Sequence, residues 1–160
     1  MKKFKANDNK NEEHEINYRQ FNKKLELLNQ ILSLISDINQ ASDEKEVKDC
    51  IPALLQYTGE YTDADRVYIF ELMSEKQDYY SNTFEWCREG IVPQIDNLIR
   101  ISADSMPVWH EKFLRGETII IHDLEKICET MPSEYDILKV QDIHSLLVLP
   151  LFANTQLSGF

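Results

Sequence analysis

The sequence predicts an α+β domain in which a sheet is covered on both sides and a long helix precedes it. Three observations lead there. Runs such as 66–72 and 146–152 are apolar on both strand faces, and a sheet made of such strands needs cover on each side. The segment 21–38 repeats its apolar residues at helical spacing. The stretch 81–90 alternates as a strand does, setting Asn82, Phe84 and Trp86 on one side and Thr83, Glu85 and Cys87 on the other before Gly90 breaks the run.

At 160 residues with 42% apolar composition, the chain can bury one substantial core but not two. One domain with an appendage is expected, divided as a tail over 1–13, a helix over 14–40 and a domain over 41–160. Residues 1–13 are rich in Lys, Asn and Glu with almost nothing to bury, which predicts a mobile tail. The helix that follows carries two apolar stripes. Phe21, Leu25, Leu28, Leu32 and Ile35 alternate steps of four and three, the seam spacing of a coiled coil, and Leu27, Ile31, Leu34 and Ile38 form a second stripe about 100° around. One stripe can meet a partner helix while the other meets its own domain; a single wide face packed on one core is the alternative.

Ser42 and Asp43 supply capping oxygens for a second helix, with Glu46 three residues after Asp43. Val47, Cys50, Ile51, Leu54 and Leu55 share one of its faces, and Gly59 is expected to end it. A strand over 66–72 has Val67 and Ile69 on one side and Tyr68, Phe70 and Leu72 on the other. Further strands are expected at 119–121, at 145–152 and at 157–160, the last two hairpinned across 153–156. Pro107 and Pro132 punctuate the segments 96–115 and 124–140, which read as mixed helix and loop.

The run from Ser81 to Gly90, continued by Ile91, Pro93, Gln94, Ile95, Asp96, Asn97 and Leu98, resembles the GAF sensory domain, in particular the version found ahead of GGDEF diguanylate cyclase domains in bacterial signalling proteins. The resemblance continues through Trp109, 116–124, 132–141 and 145–160, and so covers most of 42–160. It implies an α/β/α sandwich around a central antiparallel sheet, with terminal helices on one side and a ligand enclosed by loops and short helices on the other. It also implies a homodimer formed through the N-terminal helix, the rest of the last strand and a C-terminal helix beyond Phe160, and a C-terminal output domain, a diguanylate cyclase or alternatively a histidine kinase.

Composition narrows the function further. The net charge is −11, and the seven basic against four acidic residues of 1–24 leave −14 on the remainder. An acidic body repels phosphate backbones, so no nucleic-acid partner is expected. No window approaches about 18 consecutive apolar residues and the basic start lacks a signal-peptide core; a cytoplasmic chain without membrane contact is expected. The four histidines stand apart from one another and from cysteine, so no metal site is expected, although His122 beside Asp123 is a conceivable ligand pair. Cys50, Cys87 and Cys128 are an odd number at wide spacing, which is no disulfide framework. One branch of the resembled family, the free methionine sulfoxide reductases, uses pocket cysteines more closely grouped than these, and the bilin-binding branch attaches pigment at a Cys beside a His. Here the cysteines are followed by Ile, Arg and Glu, so no enzyme activity, bilin or haem is expected of the chain.

What remains is a small-molecule pocket. Phe84, Trp86, Trp109 and Tyr135 offer apolar walls, and Asn82, Asp123 and Ser145 offer the few hydrogen bonds that orient a ligand. Against this stands the plain reading that the aromatics fill a core and the polar groups cap helices and turns.

Overall fold

The computed structural model describes residues 2–74 and 78–160, with side chains from 15 to 73 and from 78 onward. The tail expected over 1–13 falls outside the residues described with side chains. The chain divides into a helical unit, Met1–Val67 with Trp86–Ile91, and a sheet unit, Tyr68–Glu85 with Val92–Phe160.

In the helical unit, α1 (Lys2–Gln40) and α2 (Glu44–Thr62) pack on each other. Asp43 begins α2 by accepting a 2.9 Å hydrogen bond from the Glu46 amide, and Glu46 accepts one of 2.8 Å from the amide of Ser42. Amides that no helical carbonyl can reach are thereby satisfied. The second stripe of α1 is the covered one: Leu27 is buried, and Ile31, Leu34 and Ile38 are half-buried. On α2, Leu55 is buried and Val47, Cys50, Ile51 and Leu54 are half-buried. The seam stripe stays outside, with Phe21 64%, Leu25 46%, Leu28 37%, Leu32 55% and Ile35 42% exposed.

Gly59 does not end α2. The helix continues to Thr62 and closes on Asp63, which takes the left-handed conformation and donates its amide to the Gly59 carbonyl. Gly59 is instead a notch: a β-carbon there would stand 2.1 Å from Cζ3 of Trp86. Arg88 then ties down the turn after α2, donating from Nη2 to Asp63 Oδ1 at 2.7 Å and to the Ala64 carbonyl at 3.0 Å, while its amide donates to Asp65 O at 2.9 Å.

The sheet has the order β3-β2-β1-β7-β6, formed by β1 (Arg66–Ser74), β2 (Asp78–Cys87), β3 (Ile101–Ser102), β6 (Leu151–Ala153) and β7 (Gln156–Gly159). The pairs β2–β3, β1–β7 and β6–β7 are antiparallel. A separate antiparallel pair joins β4 (Ile119–Ile121) to β5 (Leu146–Val148). The short helices α3 (Pro107–Leu114) and α4 (Pro132–Lys139) lie within the segments expected to mix helix and loop.

The single strand expected over 145–152 is two strands in two sheets. β5 pairs with β4, whereas β6 hairpins with β7 through Asn154 and Thr155, both at positive φ. Pro150 stands between them, and its missing N–H cannot continue a ladder. At Gly159 the strands come so close that a β-carbon would stand 1.9 Å from the carbonyl oxygen of Phe70. The fold is thus α+β, with N-terminal helices followed by an antiparallel sheet.

Candidate functional site

The inner face of the sheet unit is lined by aromatic rings gathered on Phe160. Its ring centroid lies 4.6 Å from Phe70, 4.9 Å from Phe113, 5.0 Å from Tyr80 and 6.1 Å from Trp109. Phe160 reaches this position because its amide and carbonyl exchange hydrogen bonds of 2.9 and 2.8 Å with Phe70 of β1. Tyr80 and Phe113 have no exposed surface and Trp109 very little. Strand alternation brings the side chain of Asn82 to the same side of β2 as Tyr80.

The Tyr80 hydroxyl shares a 2.8 Å hydrogen bond with His110 Nδ1 on α3. Burial, and secondarily the charge of Asp78, push the phenol far above its ordinary range and keep it protonated. Tyr80 is thus a neutral hydrogen-bonding group inside an apolar wall.

Helix α3 starts without a cap of its own. Met106 precedes it, Pro107 opens it, and no local side chain accepts from its first amides. Glu134, on α4, does so instead: its Oε1 accepts from the amides of Val108 at 2.8 Å and Trp109 at 3.2 Å. A carboxylate at a helix N-terminus is favoured by the helix dipole and by the unpaired N–H groups there. This is what holds Trp109 in place.

Four polar atoms in this interior have no hydrogen-bond partner among the described residues: Asn82 Nδ2, Asn82 Oδ1, Trp109 Nε1 and Glu134 Oε2. Their residues are only 5%, 4% and 1% exposed. Each such group costs about 1 to 3 kcal/mol relative to a paired one, and buried side chains of this kind normally find partners.

Of the residues singled out from sequence, Asn82 and Trp109 lie in this interior. Tyr135 packs its ring against the same core, and its hydroxyl donates to Glu125 Oε2 at 2.8 Å and accepts from Lys139. Phe84 is half-buried in the sheet unit. Asp123 caps the short helical turn Leu124–Ile127 through the Glu125 amide at 3.2 Å, and Ser145 is exposed. Trp86 belongs to the helical unit, seated over Gly59. The residues missed from sequence are Tyr80, His110, Glu134 and Phe160. For Tyr80 the signal existed, since the alternation through Asn82 extends back to it. For Glu134 it did not, because the groups it caps are 25 and 26 residues away.

An open cleft of about 490 Å³ elsewhere on the sheet unit is lined by ionic groups that include His122, Asp123, Lys139 and His144. Among the described residues no group of three or more His, Cys, Asp or Glu could hold a metal ion, and no helix is long and apolar enough to cross a membrane. Glu85 organises the loop after β2, accepting from the amides of Gln94 at 2.9 Å and Ile95 at 2.8 Å.

Comparison with known proteins adds the following. The GAF domain family profile matches residues 46–160. The chain is 31% identical over 121 residues to the methanogenesis regulatory histidine kinase FilI of Methanothrix harundinacea (strain 6Ac), a match that takes in 72% of this chain and 13% of that protein. The chain therefore spans about an eighth of the length of that relative. Among solved structures, the phycocyanobilin-bound GAF domain of a cyanobacterial phytochrome superposes with a TM-score of 0.64 at 18% identity, over 83% of this chain and 76% of the other. The blue-light absorbing form of the Thermosynechococcus elongatus PixJ GAF domain does so with a TM-score of 0.58 at 21% identity, over 74% and 70%. At these identities the likeness is one of fold.

Proposed function

This chain belongs to the GAF domain family, and we propose that it is a sensory module that binds a small molecule against the aromatic face of its sheet unit and passes the signal through helices to an output domain. The observation that carries the reading is the set of unpaired polar atoms of Asn82, Trp109 and Glu134 inside an otherwise aromatic interior. A ligand carrying donors and acceptors supplies the kind of partner that these atoms lack among the described residues. Phe84 and Tyr135 extend the apolar wall in this reading, while Asp123 lines the ionic cleft, Ser145 is exposed and Trp86 stands over Gly59 of α2. Because Tyr80, Trp109, Phe113 and Phe160 occupy much of the face, the ligand is compact, smaller than the phycocyanobilin of the structural neighbour.

The mechanism is a population shift. A ligand that prefers one arrangement of the aromatic cluster biases whichever arrangement of the helices goes with it, and about 1.4 kcal/mol of preference moves the balance tenfold. Two copies associate through Phe21, Leu25, Leu28, Leu32 and Ile35, the apolar stripe of α1 that its own unit leaves exposed. The output is a histidine kinase, supported by the 31% identical relative; the diguanylate cyclase reading is supported by the sequence resemblance of 81–98. A sulfoxide reductase has less behind it, since none of the three cysteines is in the buried cluster.

The test is native mass spectrometry of the purified chain, followed by thermal melting with a library of compact planar metabolites. A released small molecule, or a melting rise that Asn82→Leu removes without unfolding the protein, supports the reading. No adduct and no ligand-dependent melting would leave only a dimerisation and transmission module.

A further inference from the structure

The seam of α1 ends on a polar residue. Continuing the alternation of four and three from Phe21, Leu25, Leu28, Leu32 and Ile35 places Tyr18 one layer before and Asn39 one layer after, both within the helix and both exposed. In heptad terms Tyr18, Leu25, Leu32 and Asn39 are a positions, and Phe21, Leu28 and Ile35 are d positions.

The flanks of this seam suit a second copy of the same helix. From 17 to 39, the e positions are Asn22, Asn29 and Ser36, and the g positions are Asn17, Lys24, Ile31 and Ile38. The charges of Arg19, Lys23, Glu26 and Asp37 fall on b and f positions, away from the partner. Lys24 is the one flanking charge in this span, and in a parallel pair it faces Asn29 of the other copy. In a chain of net charge −11, no like charges meet across this surface. Self-association is then electrostatically free, whereas an acidic or basic partner helix would find nothing to pair with.

We propose that the Asn39 side chains of two copies hydrogen-bond to each other across the seam, fixing the α1 pair as parallel and in register. An amide at an a position is satisfied by its own copy only in that arrangement. In an antiparallel pair, a positions face d positions, here Phe21, Leu28 and Ile35, and the amide would be buried against apolar side chains. Asn39 is therefore a specificity residue: it weakens the pairing while selecting one geometry. This rests on the dimer reading above, and the experiment separates the two.

The full chain is studied with Cys50, Cys87 and Cys128 replaced by Ser, its melting first matched to that of the natural chain under reducing conditions. Asn39→Cys is expected to give an interchain disulfide on oxidation with diamide, and Ser33→Cys, at an outward b position of the same helix, is expected to remain uncrosslinked. In the natural cysteine background, Asn39→Leu is expected to tighten association about tenfold in sedimentation equilibrium and to admit larger assemblies. If the chain dimerises, yet Asn39→Cys crosslinks no better than Ser33→Cys and Asn39→Leu changes neither affinity nor assembly size, the Asn39 proposal is overturned and the dimer stands. If the chain is a monomer at all concentrations and Leu28→Glu changes nothing, the dimer reading itself is overturned.

Discussion

The helical unit keeps a row of apolar side chains outside, and the sheet unit keeps a set of polar atoms inside. Each is the reverse of what folding alone favours. On α1 the stripe through Leu27 is spent against α2, while Phe21, Leu25, Leu28, Leu32 and Ile35 face solvent. In the sheet unit the aromatic rings are close-packed, while the side-chain amide of Asn82, Trp109 Nε1 and one oxygen of Glu134 lack partners among the described residues. Exposed apolar rows with seam spacing suit a protein partner, and buried polar atoms without a partner among the described residues suit a small one, which is the basis of the proposal above. The difference teaches that two kinds of recognition can be separated in one chain by the sign of what each unit leaves over.

The two tryptophans, Trp86 in the helical unit and Trp109 in the sheet unit, allow each unit to be followed by fluorescence in single-tryptophan variants. The largest expected effect falls on the sheet unit: Phe113→Ala removes a ring with no exposed surface and should cost about 3 to 5 kcal/mol in denaturant unfolding. A loss below about 1 kcal/mol would mean that the cluster is not the core.

The matching perturbation of the helical unit is Gly59→Ala. Alanine gains about 1 kcal/mol over glycine in a helix interior, but its β-carbon collides with Trp86, and overpacking of this kind costs about 1 to 3 kcal/mol. A net destabilisation is expected, relieved when Trp86→Leu is added. Stabilisation by the single change would contradict the notch.

Glu134→Ala should cost about 1 to 2 kcal/mol by uncapping α3, and the emission of Trp109 should shift with it. Asn82→Leu should go the other way. With no partner for its amide, an apolar replacement of similar shape is expected to be neutral or to stabilise the ligand-free chain by about 1 kcal/mol. A clear destabilisation would show that Asn82 is already satisfied and would remove it from the site.

The smallest effect is one of pH. Tyr80 is held protonated in the folded chain above its ordinary value near 10. The stability this provides is complete below that value and is lost as pH rises beyond it, because the unfolded chain then releases the proton while the folded one keeps it. Tyr80→Phe should flatten the alkaline decline of unfolding free energy; an unchanged slope would contradict the assignment.

Much of this organisation is legible in the sequence where the signal is local. The Ser42–Glu46 cap, the two stripes of α1 and the alternation through Asn82 each follow from spacing a few residues wide. Readings failed where one residue type serves two purposes. Gly59 reads as a helix end because glycine commonly follows one, yet it is the notch that admits Trp86 from 27 residues away. The apolar run 146–152 reads as one strand until Pro150 is weighed as a break. Glu134 could not be assigned at all, since only the fold brings it to the start of α3. Of the three residues with unpaired interior atoms, Asn82 and Trp109 are visible by type and Glu134 by tertiary contact alone.

The most direct test of the whole is one native mass spectrum of the freshly purified natural chain. The species expected under the proposal is two chains carrying a small molecule that is released on denaturation. A single bare chain at every concentration would contradict both the pairing and the binding.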